Sequence, residues 1–573
     1  QTWIESIEAN KENYMSLHPQ ELPETPAQTA AVAKAAFRRG NRYMLMRDEL
    51  GAFYTDLDFA HLFAVRGKPA ETPWRLALVL VFQFMEGLSD GQVADAVRGR
   101  IDWKYALSLE LTDEGFDASV LSEFRQRLVQ GSAEMQLLDI MLERFKEAGY
   151  LKPRGRQRTD STHVLAAVRG VNRLVLLGET LRHALNVLAV SAPEWLKPRL
   201  EPAWVERYAR RLDEYRLPKA ATERAALASQ LGADGRQLLS ALFAAESPEW
   251  LCQLDGVRIL HQVWLQQFYA VPDDAPMQWR SVEDQPPSSR RIHTPYDPEA
   301  RYSGKRDTTW LGYKVHLTES CDADAPNLIT HVLTTPATTP DFDAPAVIYE
   351  ELAARELLPT EHLMDAGYVD AGLLVDSQQQ HQVNVIGPVP QDHCWQALTP
   401  EAFAVGQFII DWDAKRVTCP QGHTSQKWSH TQNHAGIPII NIRFAPAACA
   451  ACPVRQQCTR SKTGPRNMTL HPKAEHEALQ ARREFQTTAA FQQQYNARAG
   501  IEGTISQSVR RTDIRHTRYI GLAKTHLQHV LCAAAINLYR ITDYIAQQNH
   551  SSGEQSPFAQ TRSPAFVALA ATQ

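Results

Sequence analysis

Residues 311–318 read LGYKVHLT, and this stretch decides the fold class. Apolar and polar residues alternate along it from Tyr313 onward, with the period of two that is typical of a β-strand. Residues 343–357 have a helical pattern. Four more stretches have strand character: 158–168, 327–335, 361–365 and 383–386. Strands that alternate with helices in this way predict an α/β core with helices on the faces of its sheet.

Two large insertions interrupt the predicted sheet. One is helical, and the other carries a cysteine cluster. The helices before the sheet, with Gly-containing turns, are typical of a helix-turn-helix assembly or of a generic helical bundle. We therefore divide the chain into seven segments: an N-terminal helical, DNA-binding domain (1–151), a first strand (152–170), a helical insertion (171–285), the rest of the α/β core (286–390), a cysteine-rich insertion (391–470), C-terminal helices (471–549) and a disordered tail (550–573).

The composition bounds the class of protein. Of 573 residues, 44% are hydrophobic and 22% charged, which excludes wholesale disorder and a fibrous protein. The net charge of −5 excludes a uniformly basic nucleic-acid coat but allows a local basic groove. The most apolar run, 76–84, is far shorter than the roughly 20 residues that span a membrane. We expect no signal peptide, no membrane partner and a reducing, cytoplasmic compartment.

Three acidic residues stand out by their context. Asp160 lies inside a predicted strand, where aspartate is disfavoured. Asp365 ends the buried strand HLMD, at the strand end where α/β proteins place their sites. Glu502 follows Tyr495 and Arg498 at helical spacing, on one face. Each alone could be a cap or surface residue, as could the nearby carboxylates Asp341, Asp343, Asp370 and Asp376. Together they could hold two Mg²⁺ ions for phosphoryl transfer.

The blocks around these carboxylates resemble the catalytic blocks of bacterial insertion-sequence DDE transposases. The three blocks occur in the same order as in that family, and the residues around each block are of similar type. The resemblance extends from about residue 40 to 548. It includes the strand 312–316, the helix 522–539 and the four-cysteine insertion of one subgroup. The three blocks are Thr159-Asp160-Ser161-Thr162, Leu363-Met364-Asp365-Ala366-Gly367-Tyr368 and Tyr495-x-x-Arg498-x-x-x-Glu502.

This resemblance implies an RNase H-like fold, a mixed sheet flanked by helices. It implies that Asp160, Asp365 and Glu502 bind two Mg²⁺ ions, for which Mn²⁺ can substitute, and that Tyr495 and Arg498 contact a DNA end. One position departs from the pattern. Many members carry a lysine seven residues after the glutamate, whereas here Val509 is followed by Arg510 and Arg511. The route of strand processing, including any hairpin intermediate, is therefore left open.

A cluster of cysteines has the spacing of a metal site. Four thiolates can bind Zn²⁺ tetrahedrally and fold a small loop-rich segment, which would make the ion structural. His423 could replace one thiolate, or the thiols could be free. The cluster comprises Cys419, Cys449, Cys452 and Cys458.

Basic residues gather near two of the predicted catalytic segments. Residues 496–526 contain six Lys or Arg and two acids, a local charge of +4, and a second cluster lies in the loop before residue 311. Phosphate contacts from such runs position DNA without reading its sequence, although either cluster could be a solvated face. Besides Tyr495 and Arg498, the predicted DNA-binding residues are Arg510, Arg511, Arg515, Arg518, Arg291, Lys305 and Arg306.

The sequence thus predicts a transposase that binds terminal inverted repeats and catalyses two-metal-ion cleavage and strand transfer. Its partners would be inverted-repeat DNA, target DNA and a second copy of the chain in a homodimer, at the bacterial nucleoid. Two alternatives remain: a non-catalytic DNA-binding regulator derived from a transposase, and a metal-dependent nuclease without strand transfer.

Overall fold

The computed structural model describes residues 15–212, 217–272, 275–305, 307–434 and 436–553. Residues 550–553 of the predicted tail continue the last helix, and the rest of that tail lies outside the described residues. Arg306 also lies outside them.

The N-terminal region is helical, as predicted. Pro73 occupies the first turn of a helix that Gly87 ends, and the Ser89 side chain caps the next helix together with Gln92. Short strands β1 (Met15–Ser16) and β2 (Lys68–Pro69) pair beside the helices. The helices are α1 (Ala27–Ala36), α2 (Arg42–Leu50), α3 (Asp56–Phe59), α4 (Pro73–Glu86), α5 (Asp90–Gly99), α6 (Ile101–Ala106), α7 (Ser119–Gln130) and α8 (Gln136–Glu147).

The first core strand, β3 (Arg156–Leu165), leads into the helical insertion. The insertion has its own apolar core, to which α9 contributes six buried leucines. By length and composition α9 could span a membrane, which the sequence prediction overlooked, but most of it is buried against the other helices. The helices are α9 (Arg173–Ser191), α10 (Pro193–Leu196), α11 (Pro202–Tyr208), α12 (Ala221–Leu242) and α13 (Asp255–Gln267).

The central sheet is mixed. Strand β5 lies antiparallel to β3, which is parallel to β7, and β7 is parallel to β8. The other edge of β5 pairs first with β4 and then with β6, both antiparallel. These strands are β4 (Arg301–Lys305), β5 (Thr308–Ser320), β6 (Ile329–Pro336), β7 (Glu361–Met364) and β8 (Asn384–Ile386), with helices α14 (Ala344–Ala354) and α15 (Ala371–His381) between them.

Gly312 marks the point where β5 changes partners. Its φ is +150°, and a Cβ there would lie 2.2 Å from the carbonyl oxygen of Val164 in β3. Only glycine fits this close approach of two backbones. Beyond it, the polar residues His316, Thr318, Glu319 and Ser320 are buried as fully as the apolar residues of β5. The Thr318 hydroxyl, for example, shares a 2.6 Å hydrogen bond with that of Thr159.

The cysteine-rich segment folds around a small core of its own. Strands β9 and β10 form a hairpin, and β11, β12 and β13 form an antiparallel sheet. The strands are β9 (Ile409–Asp411), β10 (Arg416–Thr418), β11 (Ser425–Gln432), β12 (Pro438–Phe444) and β13 (Asn467–Leu470), and the helices are α16 (Trp395–Leu398), α17 (Pro446–Ala450) and α18 (Arg455–Cys458).

The C-terminal helices connect the N-terminal helices to the central sheet. They are α19 (Lys473–Phe485), α20 (Ala489–Tyr495), α21 (Gly500–Thr512) and α22 (Leu522–Gly553). The apolar face of α22 is buried between β6 and α4, so one core runs from the N-terminal helices to the sheet. The predicted α/β class, a mixed sheet flanked by helices, is confirmed.

Candidate active site

Two of the predicted carboxylates become neighbours through the register of the sheet. Thr159 in β3 pairs with Met364 in the parallel strand β7, so Asp160 and Asp365 follow side by side. The first oxygen of each carboxylate accepts a hydrogen bond from the next backbone N–H, at 2.8 Å for Asp160 and 2.6 Å for Asp365. Both side chains therefore lie at the carboxyl end of a parallel strand pair, where α/β proteins place their sites.

The Arg498 guanidinium joins these carboxylates to the third one. Its Nη1 lies 2.8 Å from Oε1 of Glu502, and its Nη2 contacts Asp160 and lies 4.0 Å from Oδ2 of Asp365. The Arg498 side chain is 13% exposed, whereas that of Glu502 is 65% exposed. Three carboxylates from distant segments thus surround one cation at the protein surface.

The electrostatics of the cluster follow from this arrangement. Burial raises the pKa of Asp160, and the Arg498 charge opposes that rise. Burial alone would lower the pKa of Arg498, but the carboxylates of Asp160, Asp365 and Glu502 outweigh it and the net pKa is raised. The guanidinium is therefore charged, and it offsets part of the repulsion among the carboxylates.

Tyr495 lies at a break in the helix rather than on one continuous helical face. Helix α20 ends at Tyr495, a 3₁₀ turn spans Asn496–Ala499, and α21 begins at Gly500. The Tyr495 ring stacks on that of Phe491, with centroids 5.3 Å apart and planes at 14°. Its pKa is raised by burial and by the nearby carboxylates. The predicted proximity of Tyr495, Arg498 and Glu502 is observed, and the 3₁₀ turn brings it about.

A second polar group adjoins the carboxylates, and the sequence prediction did not assign it a role. The hydroxyl of the fully buried Tyr368 lies 2.7 Å from Nδ1 of His316. Asp341 pairs with Lys314 at 2.9 Å and lies 3.8 Å from the Lys305 ammonium. Burial raises the pKa of Tyr368, and the charge of Asp341 raises it further. Tyr368 and His316 stood inside the quoted motifs, but nothing in the motifs showed that they meet.

A buried ion-pair network supports the segment that carries Arg498. Glu319 in β5 is fully buried and accepts from Arg158 at 2.7 Å, from Arg540 at 2.7 Å and from the Thr504 hydroxyl at 2.6 Å. Arg158 also donates to the Ala497 carbonyl oxygen at 2.5 Å, one residue before Arg498. The predicted strand 158–168 thus starts two residues late, because β3 already begins at Arg156.

Gly500 makes room for this network. A Cβ at Gly500 would lie 2.0 Å from Nη1 of Arg158, whose guanidinium is held by Glu319 and by Ala497. A larger residue could enter only by displacing a buried charge from its partners. The first turn of α21 is thereby fixed against the strand that carries Asp160.

The other predicted DNA-binding residues differ in what they contact. Arg510 and Arg511 are exposed on α21. Arg515 donates to the Thr162 hydroxyl at 2.8 Å, and Arg518 to the Leu88 carbonyl at 2.9 Å, so both also hold the fold. The remaining members lie further back along the chain: Arg291 is half-buried and Lys305 is exposed.

At both predicted metal sites the types of side chain suit a metal ion, but their positions do not bring three of them close enough together to hold one. Within the described residues, no group of three or more His, Cys, Asp or Glu side chains is close enough to hold a metal ion. The carboxylates fit Mg²⁺ by chemistry, but a guanidinium lies among them. All four clustered cysteines and His423 line one cavity of about 30 Å³, enough for a single ion, and burial among them raises the pKa of Cys458 to about 11.

Two family models match the chain. The transposase DDE domain model matches residues 418–542, which contain Glu502 and the cysteine cluster. The transposase domain (DUF772) model matches residues 33–127, most of the N-terminal helices. No curated protein and no solved structure matches the chain. The two matches confirm the resemblance that the sequence blocks indicated.

Proposed function

We propose that this chain, a member of the insertion-sequence DDE transposases by its two family matches, cuts and joins DNA at the ends of a mobile element. The observation that carries the proposal is the cluster of Asp160, Asp365 and Glu502 around Arg498 at the carboxyl end of β7. The protein would act in the bacterial cytoplasm, at the nucleoid. The finer fold assignment is an RNase H-like core, supported by the strand order β6-β5-β3-β7-β8, in which only β5 runs antiparallel to the other four strands.

Asp160, Asp365 and Glu502 would hold two divalent cations, Mg²⁺ or Mn²⁺. Such ions, when bound, activate a water or a 3′-hydroxyl and stabilise the leaving oxygen. Arg498 contacts all three carboxylates, and its guanidinium would be suited to bind a phosphate bidentately beside bound cations. The wide exposure of Glu502 leaves this side of the site open to DNA.

Tyr495, Arg510 and Arg511 would bind the DNA end beside the carboxylates. The Tyr495 ring is fixed by Phe491 and offers a flat surface for a base or sugar. The two exposed arginines follow Glu502 by two turns of α21, where they can neutralise phosphates. They would serve the function of the lysine that many members of the family carry seven residues after the glutamate, where this chain has Val509.

Base readout is assigned to the N-terminal helices, because a helix fits the major groove. The homodimer is part of the proposal, because two element ends are processed together. The helical insertion adds a separate folded unit that could join two copies.

The cysteine cluster is proposed to hold a structural Zn²⁺. Because the apolar core of this segment is small, removing the ion should unfold the segment while leaving the central sheet intact. We expect about one zinc per chain by elemental analysis, lost in a Cys449→Ser, Cys452→Ser variant but not in a Cys394→Ser control. Equal zinc content in all three proteins would contradict the proposal.

The function is tested by incubating the protein and Mg²⁺ with a labelled duplex that ends in the inverted repeat flanking its own coding region, plus a target plasmid. We expect cleavage at the repeat boundary and joined product, both absent with EDTA or a scrambled repeat. Cleavage without joining would favour the nuclease. Binding without cleavage in either Mg²⁺ or Mn²⁺ would favour the regulator.

A further inference from the structure

One part of the chain is free of acidic residues. Between Asp413 and Glu475 no Asp or Glu occurs in 61 residues, where the overall share of 65 in 573 would give about seven. The protein as a whole is acidic, with a net charge of −5. The same stretch contains nine cations: Lys415, Arg416, Lys427, Arg443, Arg455, Arg460, Lys462, Arg466 and Lys473.

The sheet β11–β12–β13 divides this stretch into an inner and an outer face. The inner face buries Ile440, Ile442 and Phe444 in the core on which Cys419 and Cys449 pack. The side chains that alternate with these point outward, and cross-strand pairing arranges them in rows. We call this surface the outer face; its residues are Lys427, Ser429, Thr431, Ile439, Asn441, Arg443, Asn467 and Thr469.

Two cations lie directly opposite each other on the outer face. Lys427 pairs with Arg443 across β11 and β12, and both are exposed. Neither forms an ion pair with any carboxylate in the described part of the chain. Like charges directly opposite each other in a sheet destabilise it, so the folding of this segment does not account for them. A polyanion lying across the two strands would.

We propose that the outer face binds the phosphate backbone of double-stranded DNA. Its lysine, arginine, serine, threonine and asparagine side chains are the types that contact phosphates and sugars. No aromatic side chain stands among them, whereas surfaces for single strands present rings on which bases stack. The face would therefore hold duplex without reading its sequence. This inference rests on the proposed function and adds a second DNA contact, separate from the carboxylates and the N-terminal helices.

The test is the salt dependence of binding to a fluorescent duplex of scrambled sequence, measured by anisotropy with no Mg²⁺ or Mn²⁺ added and no chelator, so that the proposed structural zinc is retained. Each lost phosphate contact lowers the slope of log affinity against log salt by about 0.9. For the full-length Lys427→Gln, Arg443→Gln variant we expect the slope to fall by about 1.8 and affinity near 0.1 M salt to fall roughly 50-fold. Its melting temperature should equal or exceed that of the wild type, because the repulsion is gone.

A matched control removes two cations that already have partners. Lys197 pairs with Glu194 at 2.5 Å and Arg258 with Asp255 at 3.5 Å, both in the helical insertion. The Lys197→Gln, Arg258→Gln variant makes the same change in net charge and should leave the slope unchanged. An equal slope in the wild type and in the outer-face variant would overturn the inference while leaving the proposed cleavage intact. A wild type that binds no duplex would overturn both.

Discussion

Replacing Asp160 or Asp365 by asparagine, or Glu502 by glutamine, should lower the rate of cleavage at the repeat boundary by at least about 1,000-fold. Each amide keeps the shape of the side chain but removes the negative charge that would hold a divalent cation, and metal stabilisation of a phosphoryl-transfer transition state is worth several kcal/mol. Affinity for inverted-repeat DNA, measured with EDTA present, should change less than about threefold, because the proposed readout lies on the N-terminal helices.

Asp376→Asn supplies the control for these variants. Asp376 is an exposed carboxylate on α15, eleven residues after Asp365. The Asp376→Asn variant should therefore cleave DNA at the same rate as the wild type. If any of the three cluster variants lost DNA binding in parallel with cleavage, the carboxylate would be holding the fold. Normal cleavage by all three variants would show that these three carboxylates do not catalyse the reaction.

The strands were predictable because their patterns are local. Alternation from Tyr313 onward predicted β5, and the apolar run before Asp365 predicted β7, each to within a few residues. The helix starts at Pro73 and Ser89 depend on equally local signals, since capping involves only one or two neighbouring residues.

What the sequence could not predict depends on tertiary contacts. Arg498 was assigned to DNA, but in the folded chain it binds three carboxylates, two of them more than 130 positions away. Arg158 was predicted only as the first residue of a strand, and only the register of β3 against β5 places it opposite Glu319. The 3₁₀ turn before α21 likewise follows from packing against Arg158, which no periodicity reports.

Glu319→Gln should lower the free energy of unfolding by roughly 3–5 kcal/mol, because it leaves the buried Arg158 and the partly buried Arg540 without a compensating charge. Arg158 and Arg540 both point at this one carboxylate, which is fully buried. Urea denaturation followed by tryptophan fluorescence measures the loss. Glu361→Gln is the control, since its ion pair with Arg156 is about a third exposed and should contribute at most about 1 kcal/mol.

The same variant should also slow cleavage under conditions where it remains folded. Arg158 joins Glu319 to the Ala497 carbonyl, so the loss of the Glu319 charge frees the turn that carries Arg498 and, one turn later, Glu502. Adding Arg158→Gln to Glu319→Gln removes one uncompensated charge, so part of the lost stability should return and the two changes should be non-additive. Cleavage should not return with it, because the double variant still lacks the bond to Ala497. If the losses of stability were additive, Arg158 and Glu319 would act independently. If cleavage recovered together with stability, the network would support the fold without positioning the site.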